Sequence, residues 1–477
     1  MVILRSIAPA DRSDNEFFVN SNRREKIVKI LMMVAAMSTA LLMPAYARAA
    51  TLTTLYTFSG GADGANPGAA LVPGLEGSFF GTTVSGGATG NGTVFRLLPP
   101  AHGGDRYRLE SLHSFAGGVD GAGPTNLIGD AAGHLYGVSN LGGGGTAAAC
   151  MSGGAPVGCG VVFELRPPAA GERAWHEVVL HAFSGNDDGF APSGLTIHDG
   201  KLYGFTWGGV GSCNGGCGTV YELTPPAAGE HVWTYKRLHT FSGAAAAHGP
   251  FGNPLIVRDG SIYGIAYSGG PTAPTGCAPF SGCGEVFKLT RPARGTSDWT
   301  KTTVWAFNGL DGTGGFNSLS IDREGRLYGM TNEGGDSSAN CPAPPGSPAG
   351  CGVAFRLEPS RYGDGRWTQE ILWNFSGYAD GGYPADSALA MQRDGNLLAT
   401  TSGTNNNSLG QFGAIVQLVR PQMHEATWKE RTLFTFTNDA DGAIPVGAVV
   451  ARDGFWYGTT YGYSGVAAAG TVYRIKP

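Results

Sequence analysis

The chain has 477 residues, 79 of them glycine, with 32 basic and 37 acidic residues and a formal net charge of −5. Without a collagen period, that much glycine fits a turn-dense β protein, and its fixed placement between β-branched and aromatic runs excludes a disordered chain. A mildly acidic surface argues against nucleic acid or anionic lipid as a partner.

Residues 1–47 differ in kind from the rest. Arg23, Arg24, Lys26 and Lys29 precede an apolar stretch, Ile30 to Leu42, and Ala45-Tyr46-Ala47 follows with small residues where a signal peptidase needs them. This is the pattern of a secretory signal peptide with a long polar start, and its apolar stretch is too short for a membrane span. Asn22-Arg23-Arg24 hints at a twin-arginine signal, but no apolar pair follows. Residues 1–47 hold six basic and four acidic residues, so residues 48–477 carry 26 basic against 33 acidic, a net charge of −7. The expected product is a secreted, periplasmic or cell-surface monomer with no transmembrane anchor after cleavage.

Three markers then recur in order. Phe79-Phe80-Gly81, Leu135-Tyr136-Gly137, Leu202-Tyr203-Gly204, Ile262-Tyr263-Gly264, Leu327-Tyr328-Gly329, Leu397-Leu398-Ala399 and Trp456-Tyr457-Gly458 form one series of seven. A phenylalanine followed by a small polar loop forms the second, at Phe58, Phe115, Phe183, Phe241, Phe307, Phe375 and Phe436. A run of the form G-x-V-aromatic closes most copies, as in Gly92 to Phe95 and Gly470 to Tyr473. Internal periodicity of this kind signals a repeat architecture.

Each copy reads as four short strands: an apolar run, a tight turn such as Asp199-Gly200 or Asp394-Gly395, the L-Y-G strand, the G-T-V-F strand, and a strand from a tryptophan to the marker phenylalanine. Asp-Gly between apolar runs is a hairpin signal, because glycine accepts positive φ and aspartate bonds locally. No helical period is sustained. Seven such units, each too small to bury its own faces, predict an all-β, seven-bladed β-propeller of four-stranded blades over residues 48–477. The last copy lacks its fourth strand, and Leu52 to Phe58 precedes the first copy as an orphan. The N-terminal strand is therefore expected to complete the last blade and remove an open seam.

The eight cysteines fall in four local pairs, Cys150/Cys159, Cys213/Cys217, Cys277/Cys283 and Cys341/Cys351, each between the second and third strands of one copy. In an exported protein these are expected to be disulfides in small surface loops, each contributing at most roughly 3 kcal/mol. Zinc is the rival; no histidine accompanies the pairs at ligand spacing, so neither a metal nor a cofactor is expected.

Phe183-Ser184-Gly185 with Asp188-Gly189, Leu202 to Gly209 and Gly218 to Tyr221 carry the motifs F-x-G-x-D-G, L-Y-G-x-T-x-x-G-G and G-T-V-F. With their copies over about residues 54–477, they resemble the Gloeo/Verruco (GloVer) tandem repeat of secreted bacterial choice-of-anchor proteins. Two departures stand out: the chain stops at Pro477 without the anchor that names the class, and copy six has Leu397-Leu398-Ala399 and an Asn405-Asn406-Asn407 loop. The resemblance carries over no catalytic residue.

Propeller topology puts the connections from strand two to three, and from strand four to the next copy, on one face. The second kind holds Asp63, Asp120, Asp188, Asp311, Asp380 and Asp441, each followed by glycine. These aspartates either cap their own turns or form an acidic ring for a ligand or cation; recurrence in nearly every copy favours turn chemistry. Trp207 and Tyr267, just beyond two L-Y-G strands, can reach the same face. His113, His181 and His239 stand two residues before the marker phenylalanine in separate copies. No H-E-x-x-H or G-x-S-x-G motif is present. The leading expectation is a non-catalytic module binding an extracellular polysaccharide or surface protein through its long-loop face. The alternative is a polysaccharide hydrolase or lyase with carboxylates in the funnel, since such a pair leaves no sequence spacing.

Overall fold

The structure is a computed structural model. It describes residues 50–476 except 102–105, 146, 148–149, 153–154, 212–216, 228, 231, 243–247, 271–276, 278–281, 294–295, 316, 337–340, 342–348, 379, 385–387, 404–411, 424 and 464–466. The expected signal segment, Cys213 and the Asn405-Asn406-Asn407 loop lie outside the described residues.

Strands form because β-branched and aromatic residues alternate with small ones between glycine turns. They assemble into seven antiparallel sheets in chain order. In blade three the strands are Phe190–His198, Lys201–Gly208, Thr219–Thr224 and Thr234–Thr240, in that order across the sheet. In blade seven Thr51–Thr57 pairs antiparallel with Thr471–Lys476 and stands fourth after Pro445–Arg452 and Phe455–Thr460. The ring is closed by the N-terminal strand, and the fold is a seven-bladed β-propeller. No α-helix occurs among the described residues, so none is long and apolar enough to cross a membrane.

The first strand of each blade lies innermost. Asn126 Nδ2 of blade two donates to Asn253 Oδ1 of blade four at 3.0 Å, and the Leu195 amide of blade three donates to the same oxygen at 3.0 Å. Three blades can share one acceptor only near the axis. Bulges bend the inner strands there, between Ser193 and Leu195 and between Phe251 and Leu255. Gly194, at φ +56°, sits in the first bulge; a Cβ there would lie 2.0 Å from the Gly252 oxygen of the next blade. Only glycine permits that approach.

The L-Y-G glycine and the aromatic of the third strand are a matched pair. In blade three Gly204 stands opposite Tyr221, and a Cβ on Gly204 would meet the tyrosine ring at 2.2–2.9 Å. The same ring-on-glycine contact recurs at Gly81/Phe95, Gly137/Phe163, Gly264/Phe287, Gly329/Phe355 and Gly458/Tyr473. Blade six, which departs from the motif, replaces both partners: Ala399 faces Val416. The extra methyl and the lost ring are complementary changes in one packing site.

The marker phenylalanine ties each blade to the next. Its ring packs edge-on against the third-strand aromatic of the following blade, as in Phe115/Phe163 at 5.1 Å, Phe183/Tyr221 at 5.3 Å and Phe241/Phe287 at 5.1 Å. Phe58, carried by the N-terminal strand, does this for Phe95 of blade one at 5.3 Å. Aromatic pairs of this geometry contribute about 0.5–1.5 kcal/mol beyond area burial.

The cysteines belong to these seams. Three disulfides, Cys150–Cys159, Cys277–Cys283 and Cys341–Cys351, have Cα separations of 5.0–5.3 Å. Cys217 is disulfide-bonded as well. The expectation of surface loops is corrected at the sulfurs: Cys150, Cys159, Cys217, Cys277, Cys283, Cys341 and Cys351 are all buried, under the entry turn of the next blade. Each pair's second cysteine also offers its carbonyl to that turn. Ala191 N donates to Cys159 O at 2.9 Å, Gly249 N to Cys217 O at 3.1 Å and Tyr383 N to Cys351 O at 2.9 Å, while Gly314 N donates to Cys283 O. Blades without cysteine make the same bond through Asn91, Phe412 and Ala469.

Two outcomes follow. In a double-mutant cycle, Val416→Phe alone should destabilise by roughly 1–3 kcal/mol because the ring meets the Ala399 methyl. Adding Ala399→Gly should recover at least about 1 kcal/mol as coupling; denaturant titration checks it, and strict additivity would break the pairing argument. Joint Cys341→Ser and Cys351→Ser substitution should cost more than the roughly 3 kcal/mol of loop entropy, since two hydroxyls replace buried sulfur. Calorimetry should show the Tm fall by several degrees, and an unchanged Tm would contradict the seam role.

Candidate functional site

Strands one and three run one way and strands two and four the other, so two kinds of connection emerge together. The loop face collects the disulfide loops and the entry turns that follow each marker phenylalanine. The hairpin face carries the turns between strands one and two, and between strands three and four.

The entry-turn aspartates point into their own turns. Ser184 donates to Asp188 from its amide at 3.0 Å and its hydroxyl at 2.6 Å; Ser376 bonds Asp380 at 3.0 and 2.6 Å, and Thr437 bonds Asp441 at 2.9 and 2.8 Å. Asp63 takes Ser59 N at 2.8 Å, Asp311 takes Asn308 N at 2.7 Å, and Asp120 takes Ala116 N. A second donor is the ring two residues before the marker phenylalanine: Tyr56 to Asp63, His113 to Asp120, His181 to Asp188, Trp305 to Asp311 and Trp373 to Asp380, at 3.0–3.2 Å. That accounts for two of the histidines noted in the sequence, His113 and His181: each serves the carboxylate of its own turn. Burial would raise the Asp188 carboxyl, but the bonds from His181 and Ser184 outweigh it and hold it below the usual range. At Asp311, burial wins and the carboxyl is raised. In the fourth entry turn the aspartate is replaced by His248. There burial, helped by Lys301, pushes the His239 imidazole down to about 4. Among the described residues no group of three or more His, Cys, Asp or Glu is placed to hold a metal ion.

One carboxyl stands out on the outer strands. Tyr235 and Gln369 occupy the same register of the fourth strand and donate to the carbonyls of Asp188 (3.2 Å) and Asp311 (3.0 Å). Glu177 holds that register in blade two, opposite Leu165. A carboxylate cannot donate, so the site favours the protonated form. Burial first, then the charge of Asp120, pushes Glu177 up to about 7.

The structure brings Trp207 and Tyr267 together. Their rings, on adjacent blades, lie 5.5 Å apart at centroids, and Phe251 meets the indole edge-on at 6.1 Å. Gly249 leaves room for the indole; a Cβ there would lie 2.9 Å from it. All three aromatics are partly buried, at the loop-face ends of their strands. Burial raises the Tyr267 hydroxyl, and Glu333 on blade five adds to the shift; Tyr383, at the entry to blade six, is raised by the same two causes. Trp207, Phe251 and Tyr267 thus form one aromatic group across blades three and four, and the charge of Glu333 acts on both Tyr267 and Tyr383. The six aspartates, by contrast, are not gathered into one cluster. Phe251, Glu333 and Tyr383 escaped the sequence reading; the only hint for Phe251 is a large ring directly after Pro250, where the equivalent position in blade three has Ser193.

Ring closure, the seven repeated seams and a loop face braced by disulfides define a β-propeller whose one irregular rim is aromatic. Residues 144–341 match the profile of the Gloeobacter/Verrucomicrobia repeat family. No curated protein sequence matches it. Among solved structures it is similar to the periplasmic gluconolactonase of Pseudomonas aeruginosa, at 14% identity over 81% of this chain and 96% of that one, with a TM-score of 0.46. It is similar also to a Trichoderma reesei carbohydrate-active enzyme of family AA12, at 12% identity over 76% and 94% with a TM-score of 0.40. A Dyadobacter fermentans protein of unknown function matches at 12% over 90% and 98%, with a TM-score of 0.42.

The Glu177 carboxyl makes stability depend on pH with a definite sign. Its folded pKa of about 7 lies above the ordinary 4.5, so the folded chain keeps a proton that the unfolded chain has lost. That contribution is full below pH 4.5 and fades as pH rises through 7. Glu177→Gln supplies a permanent donor, as Gln369 does. It should raise stability at pH 8 by on the order of 1 kcal/mol, discounted for partial exposure, and change little at pH 4. Thermal melts of both proteins across pH check this; an equal gain at both ends would refute the protonation argument.

Proposed function

We propose that the protein is an exported, non-catalytic propeller that binds an extracellular polysaccharide or surface protein on its loop face, with Trp207 and Tyr267 as principal contacts. The observation that carries this reading is the aromatic group Trp207–Phe251–Tyr267 at the loop-face ends of the first and second strands. Partly buried rings held by packing make contact area at small entropic cost, and such anchors dominate binding energy. The braced seams beneath support the same reading, because loops on a rigid scaffold are where function concentrates. Disulfides are at home in an oxidising compartment, which supports export.

The inner strands argue in the same direction. Their polar groups are spent on neighbouring blades: Ser193 Oγ donates to Pro250 O at 3.4 Å, Thr196 Oγ1 to Pro254 O at 2.7 Å, and Ser320 Oγ to Leu389 O at 2.8 Å. Glycosidic hydrolysis by a carboxyl pair needs two acidic groups flanking one bond.

The test is binding of the exported protein to panels of neutral and acidic glycans and of cell-surface proteins. Trp207→Ala and Tyr267→Ala should each weaken a detected interaction by about 1–3 kcal/mol with the β-sheet circular dichroism retained. Equal binding by the double variant would remove these residues from the site. Turnover of a glycan in the same panel would replace the binding reading with an enzymatic one.

A further inference from the structure

The hairpin face carries a feature that the loop-face reading does not use. Between blades four, five and six lies a cavity of about 1520 Å3, floored by the ends of the inner strands, with Ile256, Ile321 and Met391 among its apolar lining. Three successive hairpins project into it: Val257–Ser261, Asp322–Arg326 and Gln392–Asn396, each closed by paired backbone bonds. Each hairpin places an arginine next in the chain after its first residue, Arg258, Arg323 and Arg393, and Arg420 adds a fourth from the end of a third strand.

The charges in this cavity are not equivalent. Its carboxylates are turned back onto their own hairpins: Asp322 accepts from Glu324 N at 3.0 Å, Arg326 N at 2.9 Å, Arg326 Nε at 2.6 Å and Tyr328 OH at 3.0 Å. Asp394 accepts from Asn396 N and Nδ2 at 3.0 and 2.8 Å, and Asp259 from Ser261 N at 2.8 Å. The guanidiniums of Arg258, Arg323, Arg393 and Arg420 are exposed and make no ion pair or hydrogen bond among the described residues. Nor does the turn need them. The hairpin of the same form in blade two, Asp130 to Gly133, has Ala131 where blade five has Arg323. In blade seven the comparable Arg452 is committed to structure, donating to Gly74 O at 3.0 Å and Ser78 O at 3.3 Å. Uncommitted arginines are thus gathered at one cavity on a chain whose net charge is −5.

We propose that this cavity binds an anionic oligosaccharide, with Arg258, Arg323, Arg393 and Arg420 taking its carboxylate or sulfate groups. A guanidinium presents a planar fork that matches such oxyanions in pairs of bonds. The volume exceeds the roughly 300–1,000 Å3 of small-ligand pockets, so an oligomer with charges at intervals fits better than a single small anion. Apolar side chains between the arginines suit the hydrogen-bearing faces of sugar rings. A long polyphosphate such as DNA would meet the acidic surface beyond the cavity. The site is independent of the loop face, and either can fail without the other.

The experiment is titration calorimetry on the exported protein with a galacturonic acid hexamer, a heparin-derived hexasaccharide and, as controls, a neutral glucose hexamer and a DNA single strand. At least one acidic hexamer should bind, more weakly as salt rises. The Arg258→Ala, Arg323→Ala, Arg393→Ala triple variant should lose at least tenfold in affinity with an unchanged Tm, and Trp207→Ala should lose nothing. If the triple variant is poorly folded, Arg420→Ala, outside the hairpins, supplies the same readout. Comparable binding of the neutral hexamer, absence of binding by both acidic hexamers, tighter binding of DNA, or full affinity in a folded arginine variant would each overturn the assignment.

Discussion

The structure depends on one contact made over and over: an aromatic ring lying on a bare glycine. The L-Y-G glycine has no side chain because the third-strand ring occupies the place its Cβ would take. The ring in turn accepts the edge of a phenylalanine from the preceding blade. Two blades are thereby joined through a single side chain, and neither half of the contact is useful alone. Blade six shows the constraint by breaking it consistently, with alanine and valine exchanged together for glycine and ring.

Around that contact the seams are fixed by backbone bonds, and the disulfides reinforce those. The carbonyl that reaches into the next blade comes from the second residue before the third strand, which is a cysteine in four blades. A crosslink there holds an acceptor in place under a turn whose residue must often adopt a left-handed backbone. Ala191 and Tyr383 do so at φ +49° and +52°, a conformation that disfavours any residue with a Cβ. The aromatic group Trp207–Phe251–Tyr267 lies on two of those blades, three and four.

The architecture was legible because its causes are local and repeated. Glycine, phenylalanine and Asp-Gly turns recur at fixed distances, and each recurrence reports a steric requirement of the chain itself. Ring closure was legible from a missing strand at one end and a surplus strand at the other. The burial of the cysteines was not, since nothing at Cys341 or Cys351 announces that a turn from the next blade will cover them. Trp207 and Tyr267 could be singled out by position, but the contacts of Trp207 with Tyr267 and Phe251, and the charge of Glu333 acting on two tyrosines, arise from juxtaposing blades. The cavity arginines were invisible for the same reason: Arg258, Arg323 and Arg393 are ordinary turn residues until three hairpins are set side by side.

The strand Thr51–Thr57 belongs to the last blade, while Phe58, the next residue, fills the core between that blade and the first. Thr51–Thr57 therefore finds its strand partner only once Thr471–Lys476 has been made. The pairing spans nearly the whole described chain, so it adds the most non-local contact of the fold, the kind that slows folding. The ring therefore stays an open arc until its seventh blade, built from two distant parts of the chain, is completed.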